Sequence, residues 1–229
     1  MPSALITGGS SGIGLAIARV LHGEGFALTL ASRTREKVEA AAAELDAHAV
    51  AVDVSKAEDC EAVVAEHVQT HGGLDVLVNS AGVGIAARLE DAQVKHIDRQ
   101  LAINLRGLAL VTRAAIPHLR ETKGWIVNLS SIAGTGPVPV LPIYAASKAA
   151  VISLTQSLNE DLDGDGVRAI AICPGFVDTP MAEYSGLRHD EMIRPEDCAE
   201  VVRMCLRLSP RARIPTVVVE RVGSRGVGG

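Results

Sequence analysis

Tyr144 and Lys148 stand four residues apart in Tyr144-Ala145-Ala146-Ser147-Lys148, with Ser131 upstream. Pro142 suits the first turn of a helix, and an Ala-rich run to about Leu158 continues it. Residues four apart on a helix share a face, so the phenol and the ammonium lie one turn from each other. A free phenol titrates near ~10 and is a poor acid or base at neutral pH. A neighbouring cation favours phenolate and brings the phenol towards the range useful for proton transfer. Ser131 could then hydrogen-bond the same substrate oxygen. A Tyr-Lys pair at this spacing is more often an ordinary surface pair, so the rest of the chain must carry the assignment.

Apolar strands alternate with amphipathic helices almost throughout. The pattern predicts strands near 3–7, 26–32, 48–53, 74–79, 124–130, 167–173 and 215–220. Helices are expected near 12–23, 34–47, 56–70, 90–119, 142–162 and 195–208. Such β-α alternation implies right-handed crossovers and an α/β, Rossmann-like, doubly wound sheet of seven parallel strands with helices on both faces. No linker or repeat divides the 229 residues, so one domain over 1–229 is expected, with a loose Gly-rich tail from about 223.

The first βα turn reads Thr7-Gly8-Gly9-Ser10-Ser11-Gly12-Ile13-Gly14. Its place after a strand and before a helix is the context a dinucleotide fingerprint requires, although three residues separate Gly8 from Gly12. No Gly-Lys-Ser/Thr follows, which excludes a P-loop. At the end of the second strand an NAD site expects an acid; this chain has Ser32-Arg33. Arg33 can bond a 2'-phosphate bidentately and Ser32 can donate to it, so NADP(H) is expected rather than NAD. Asp53 ends the third strand facing the crevice, while Ser55 and Glu58 read as a capping box for the next helix. The fourth strand ends in Asn79-Ser80-Ala81-Gly82, small residues that let a ligand crowd the backbone.

Composition removes several function classes. A net charge of -5 gives no reason to expect nucleic acid or an anionic membrane as partner. No apolar run approaches the ~20 residues that span a bilayer. Met1-Pro2-Ser3 leads straight into a strand, which leaves no room for a signal peptide, so a cytoplasmic protein is expected. Cys60, Cys173, Cys198 and Cys205 contain no C-x-x-C pair, so neither a metal nor a disulfide framework is indicated.

In combination these residues resemble the short-chain dehydrogenase/reductase family, over 3 to about 180. Thr7-Gly8-x-x-x-Gly12-Ile13-Gly14 is similar to its cofactor loop. Asn79-Ser80-Ala81-Gly82 is similar to its Asn-Asn-Ala-Gly motif, with Ser80 a departure. The resemblance implies a catalytic set of Asn104, Ser131, Tyr144 and Lys148, with Ser130 rejected because the family uses the second serine of the pair. It implies that Asn104 positions a relay water and that Asp53 receives the adenine amino group. Pro174-Gly175-Phe176-Val177-Asp178-Thr179 is similar to the family's loop beside the nicotinamide. The expected cofactor contacts are Gly8, Ser10, Ser11, Gly12, Ile13, Gly14, Ser32, Arg33, Asp53, Val54, Asn79, Ala81, Gly82, Tyr144, Lys148, Pro174, Gly175, Val177 and Thr179.

The implied activity is an NADP(H)-dependent carbonyl reductase acting on a small molecule, and relatives of this kind form homodimers or homotetramers. The alternatives are a non-catalytic NADP-binding protein and an NAD-dependent alcohol dehydrogenase. By resemblance, Ile132, Val138, Val140, Phe176, Met181, Tyr184 and Leu187 are candidates for an apolar substrate pocket fronted by 180–194. Arg188 and Arg194 could meet an acidic substrate, though exposed arginines ordinarily do nothing specific. Arg203, Arg207, Arg211 and Arg213 read as solvated, with a subunit contact as the other reading.

Overall fold

A computed structural model describes residues 1–223, and for Tyr184 the main chain alone. The tail expected beyond 223 lies outside the described residues. The strands are β1 (Ser3–Thr7), β2 (Ala27–Ser32), β3 (His48–Ala51), β4 (Val76–Asn79), β5 (Trp125–Leu129), β6 (Arg168–Pro174) and β7 (Thr216–Val219). All pair in parallel, in the order β3-β2-β1-β4-β5-β6-β7. The helices are α1 (Gly12–Gly23), α2 (Arg35–Ala43), α3 (Ala57–His71), α4 (Val94–Leu101), α5 (Leu108–Thr122), α6 (Pro142–Asp161) and α7 (Pro195–Leu206). This is the doubly wound seven-stranded sheet expected from the sequence.

Strand side chains alternate between two cores, as period two requires. Ile6, Val78, Val127 and Ile172 face one side, where Ile17 and Leu21 of α1, Val38 of α2 and Val202 of α7 cover them. Leu5, Leu77 and Ile126 face the other, under Val63 of α3, Val111 and Leu119 of α5, and Leu162 after α6. With both faces covered, the strands can be almost wholly apolar. The order reverses between β1 and β4, so a crevice opens above their C-terminal ends. The glycine turn before α1 lies at that point.

Several elements depart from the expected boundaries. The long helix expected over 90–119 is a short 3-10 turn at Leu89–Asp91, then α4, a π-helical stretch at Ala102–Gly107, and α5. The capping box expected from Ser55 and Glu58 does not form. Instead α3 starts after Lys56, and Ser55 gives its main-chain N–H and its hydroxyl to Asp53 Oδ1 at 3.0 and 2.8 Å. A local side-chain turn at Asp53 outcompetes the cap. At α7 the third helical residue caps: Asp197 accepts from Arg194 N at 3.1 Å and from its guanidinium at 2.8 Å. Three of the arginines read as solvated are in ion pairs. Arg203 and Arg207 both reach Glu24 beyond α1, and Arg213 bonds Glu160 and Asp163 at the end of α6.

A buried polar chain crosses the opposite end of the sheet. Ser3 Oγ donates to Gly73 O at 2.8 Å, so it accepts from His67 Nε2 at 3.2 Å. That leaves His67 Nδ1 to accept from Thr29 Oγ1 at 2.8 Å, and Thr29 Oγ1 to accept from His71 Nε2 at 3.1 Å. Burial, with His71 adding to it, pushes the His67 imidazole down to about 3. The folded protein therefore holds His67 neutral where the unfolded chain binds a proton. Stability should fall as pH drops from about 6.5 towards 3, by about 1.4 kcal/mol per unit. Urea unfolding across that range should show His67→Gln with a shallower acid slope than wild type. Parallel slopes would contradict it.

Candidate active site

Lys148 and Tyr144 reach the crevice from the first turns of α6, which begins at Pro142 in its N-terminal turn. Lys148 is only 5% exposed, and its Nζ donates to Leu129 O at the end of β5 at 2.7 Å. The ammonium lies 5.8 Å from the centroid of the Tyr144 ring. Burial pushes the Lys148 ammonium down to about 8, with no carboxylate among the causes of the shift to oppose it. A nearly dry cation close to a phenol is a strong local field in a medium of reduced dielectric.

Ser131 follows β5 in extended conformation. Its Oγ accepts from Ala133 N at 3.1 Å and is 3.5 Å from Pro174 O, a weak bond that leaves its proton available. Ser130, one residue earlier, donates to Lys148 O at 2.8 Å and thereby ties β5 to α6. Nothing in the local sequence singles out Gly134. A β-carbon there would stand 2.7 Å from Lys148 C and 2.8 Å from Ala149 N. Only glycine lets the turn carrying Ser131 lie against α6 at Lys148.

Asn104 sits in the π-helical stretch, 1% exposed, behind the pair. Its Oδ1 accepts from Val83 N at 2.8 Å, and its Nδ2 donates to Val83 O at 2.9 Å and to Ser147 Oγ at 3.1 Å. Ser147 Oγ in turn donates to Tyr144 O at 2.7 Å. The amide thus fastens the loop after β4 to α6, a positioning role that sequence reasoning missed, as it missed Ser147. Both amide hydrogens are taken, so a water held by this side chain would use the second lone pair of Oδ1. A β-carbon at Gly82 would lie 3.5 Å from that oxygen and 3.6 Å from Lys148 Nζ, which puts both groups at one spot.

The other expected cofactor residues lie at or just beyond the C-terminal ends of β1, β2, β3, β4 and β6, Asp53 and Val54 being those after β3. Gly8 has φ +68, and a β-carbon there would stand 2.7 Å from Ala81 N, so the turn can close on the loop after β4 only with glycine. α1 begins with no acid in its first turn and no side chain on its free N–H groups, a fit for an anion. At the tip of β2 the Ser32 Oγ is buried with no hydrogen-bond partner, beside an exposed Arg33. An orphaned hydroxyl next to a guanidinium suits a phosphate oxygen, so these residues fit NADP(H). Asp53 is raised by burial, but its Ser55 bonds and the charges of Arg33 and Lys56 outweigh this and hold it below the usual range.

Asn79 is different. Its Nδ2 donates to Thr112 Oγ1 at 3.0 Å and Asn128 Oδ1 at 2.9 Å, and Asn128 continues to Thr155 at 2.9 Å. This ladder joins β4 and β5 to α5 and α6, so the Asn79 donors are used inside the fold, while its Oδ1 is buried without a hydrogen-bond partner.

A cavity of about 540 Å3 opens beside Ser131, Tyr144 and Lys148. Ile13, Gly82, Ser131, Tyr144, Lys148, Pro174, Gly175, Val177 and Thr179 line it. So do Ile132, Val138, Val140, Phe176 and Met181 of the expected substrate wall, whereas Leu187 stands outside and the Tyr184 side chain is not among the described residues. Arg188 is tied to Asp190 and Glu191, and Arg194 to Asp197, so neither faces the cavity. The arginine among the described residues lining the cavity is Arg221, to which the sequence assigns no role.

Val140, 51% exposed on the cavity wall, has φ +59. A β-branched residue in the left-handed region is strained, by roughly 1–2 kcal/mol. Its carbonyl accepts from Ala87 N at 2.9 Å, which holds the strained turn in place. Val140→Asn, which tolerates that conformation, should raise unfolding free energy by about 1 kcal/mol. A drop in the denaturation midpoint would contradict the strain.

A profile of the short chain dehydrogenase family matches residues 2–189. An uncharacterized oxidoreductase of Staphylococcus aureus (strain MRSA252) is 35% identical over 223 residues, 96% of each chain. The alcohol dehydrogenase from the archaeon Thermococcus sibiricus, complexed with 5-hydroxy-NADP, superposes with a TM-score of 0.91 at 31% identity, over 98% of each chain. The 3-ketoacyl-(acyl-carrier-protein) reductase from Brucella melitensis, complexed with NADH, gives 0.88 at 31% identity, over 96% of each.

Proposed function

This chain belongs to the short-chain dehydrogenase/reductase family and is an oxidoreductase, and from that membership we propose that it reduces a carbonyl compound with NADPH, Tyr144 acting as general acid. The observation that carries the reading is the meeting of Ser131, Tyr144 and a buried Lys148 in one apolar-walled cavity. What bound NADPH supplies is a hydride for the carbonyl carbon.

The Tyr144 hydroxyl gives its proton to the substrate oxygen as negative charge develops there. Ser131 Oγ turns from its weak bond with Pro174 O to donate to the same oxygen and stabilise that charge. The Lys148 ammonium holds the nicotinamide ribose hydroxyls and, by its charge, favours the phenolate that proton transfer leaves behind. Asn104 and Ser147 keep α6 and the loop after β4 in register so that these atoms meet. The N-terminal turn of α1 takes the pyrophosphate, and Ser32 and Arg33 take the 2'-phosphate.

Fluorescence titration with NADPH and NADH tests the cofactor half of this reading. Wild type should bind NADPH more tightly, and Arg33→Ala should weaken NADPH by roughly 10–100-fold, the worth of one or two charge-assisted hydrogen bonds. Equal or tighter binding of NADH by wild type would overturn the NADP assignment. Binding of neither would overturn the enzymatic reading.

A further inference from the structure

The side chain that α4 buries is an amide. Gln100 is 2% exposed near the end of a short helix whose other residues are exposed or half-buried. A buried amide in such a place needs polar partners and a reason to be there. Its Oε1 accepts from Ile85 N at 3.0 Å, and its Nε2 donates to His96 O of the same helix at 3.3 Å. Ile85 lies in the loop after β4, two residues beyond the Val83 that Asn104 holds by both main-chain groups. Gln100 and Asn104, four residues apart, thus hold one loop at two points. A third tie follows, since Ala87 N donates to the carbonyl of Val140 on the cavity wall at 2.9 Å.

Gly84 stands between the first two ties. A β-carbon there would lie 3.6 Å from Tyr144 Cδ2 and 3.7 Å from Cε2, so Gly84 lies along one edge of the phenol ring. On α6 the same ring has Lys148 Nζ 5.8 Å from its centroid. Asn104 fixes the loop before Gly84, and Gln100 fixes it after. With no acceptor at position 100 the Ile85 N–H loses its tie, and Gly84 is free to shift against the ring while Val83 stays in place. The hydroxyl is the atom of the phenol farthest from the main chain, so a small tilt of the ring displaces it most.

We propose that Gln100 is a positioning residue for proton transfer: through Ile85 it keeps Gly84 against the Tyr144 ring and so aims the hydroxyl at the substrate oxygen. This rests on the reading of Tyr144 as general acid. Proton transfer demands hydrogen-bond reach, and a misplacement of about 1 Å costs on the order of 100-fold. A residue that merely anchored a loop would cost stability on removal and leave the Tyr144 ring where it was.

The test compares wild type, Gln100→Met, Gln100→Glu and Tyr144→Phe by two readouts. Nuclear magnetic resonance on protein carrying ring-labelled tyrosine and tryptophan reads the ring directly. The chain has two tyrosines and one tryptophan, so Tyr144→Phe identifies the Tyr144 signal. Gln100→Met should displace that signal and leave the signal of Trp125, buried in β5, in place. With NADPH and trifluoroacetophenone its kcat should fall by about 10–100-fold, while NADPH affinity stays within about threefold because Asn104 still holds Val83. Gln100→Glu keeps an acceptor for Ile85 N and should lie closer to wild type in both readouts. A Tyr144 signal unmoved in Gln100→Met, or moved together with that of Trp125, would overturn the proposal. So would a kcat loss as large in the glutamate variant as in the methionine variant. Turnover retained by Tyr144→Phe would overturn the general-acid reading itself, whereas turnover lost there and kept in Gln100→Met would sink this inference alone.

Discussion

Tyr144→Phe should lower kcat by roughly 10²–10⁴-fold, the usual contribution of a positioned general acid, while NADPH affinity stays within about twofold. The substitution deletes one oxygen and keeps the ring that packs beside Gly84, where a β-carbon would lie 3.6 Å away. Ser147 holds Tyr144 through its main-chain carbonyl, so the helix start does not depend on the phenol. Steady-state NADPH oxidation on both proteins separates a chemical role from a structural one. Turnover within about tenfold of wild type would assign the proton to another donor, since it lies below the range for a general acid.

Lys148→Met should cost turnover by about 10²–10³-fold, as loss of a preorganised charge does, without a matching loss of fold. Lys148 is costly to bury: its ammonium is pushed down to about 8 from an ordinary value of 10.5. Below pH 8 the folded and unfolded states are both protonated here and the full desolvation cost is present. Between 8 and 10.5 the unfolded chain keeps the proton that the folded chain has released, so the wild type should gain about 1.4 kcal/mol per pH unit relative to the methionine variant. Denaturant unfolding of both at several alkaline pH values gives that difference. A flat difference would mean that Lys148 is solvated and its charge is not tuned by burial.

Much of the scaffold was legible because its signals are local. Alternating apolar residues and a glycine turn after the first strand specify a parallel sheet whose order reverses above that turn. The four-residue spacing of Tyr144 and Lys148 likewise fixes their shared face. Features that depend on distant packing were not legible. Nothing in Ala102–Gly107 announces a π-helical stretch, and Asn104 earns its position from Val83 and Ser147, far away in the chain. Asp53 took the hydroxyl that a capping box would have used, a competition between two good local motifs. Gly134 reads as a loop glycine until α6 is seen against it. Arg221 comes to line the cavity only through the pairing of β7 with β6, and Arg188 and Arg194 are tied to acids a few residues along.

The most direct measurement follows deuterium from NADPH, labelled at both hydrogens of the donating nicotinamide carbon, into a carbonyl substrate. Mass spectrometry of the alcohol formed by the wild-type enzyme should show one deuterium on the carbinol carbon, and Tyr144→Phe should form little or none of that product. Alcohol without the label, or labelled alcohol formed equally fast by the variant, would contradict hydride transfer completed by the Tyr144 proton.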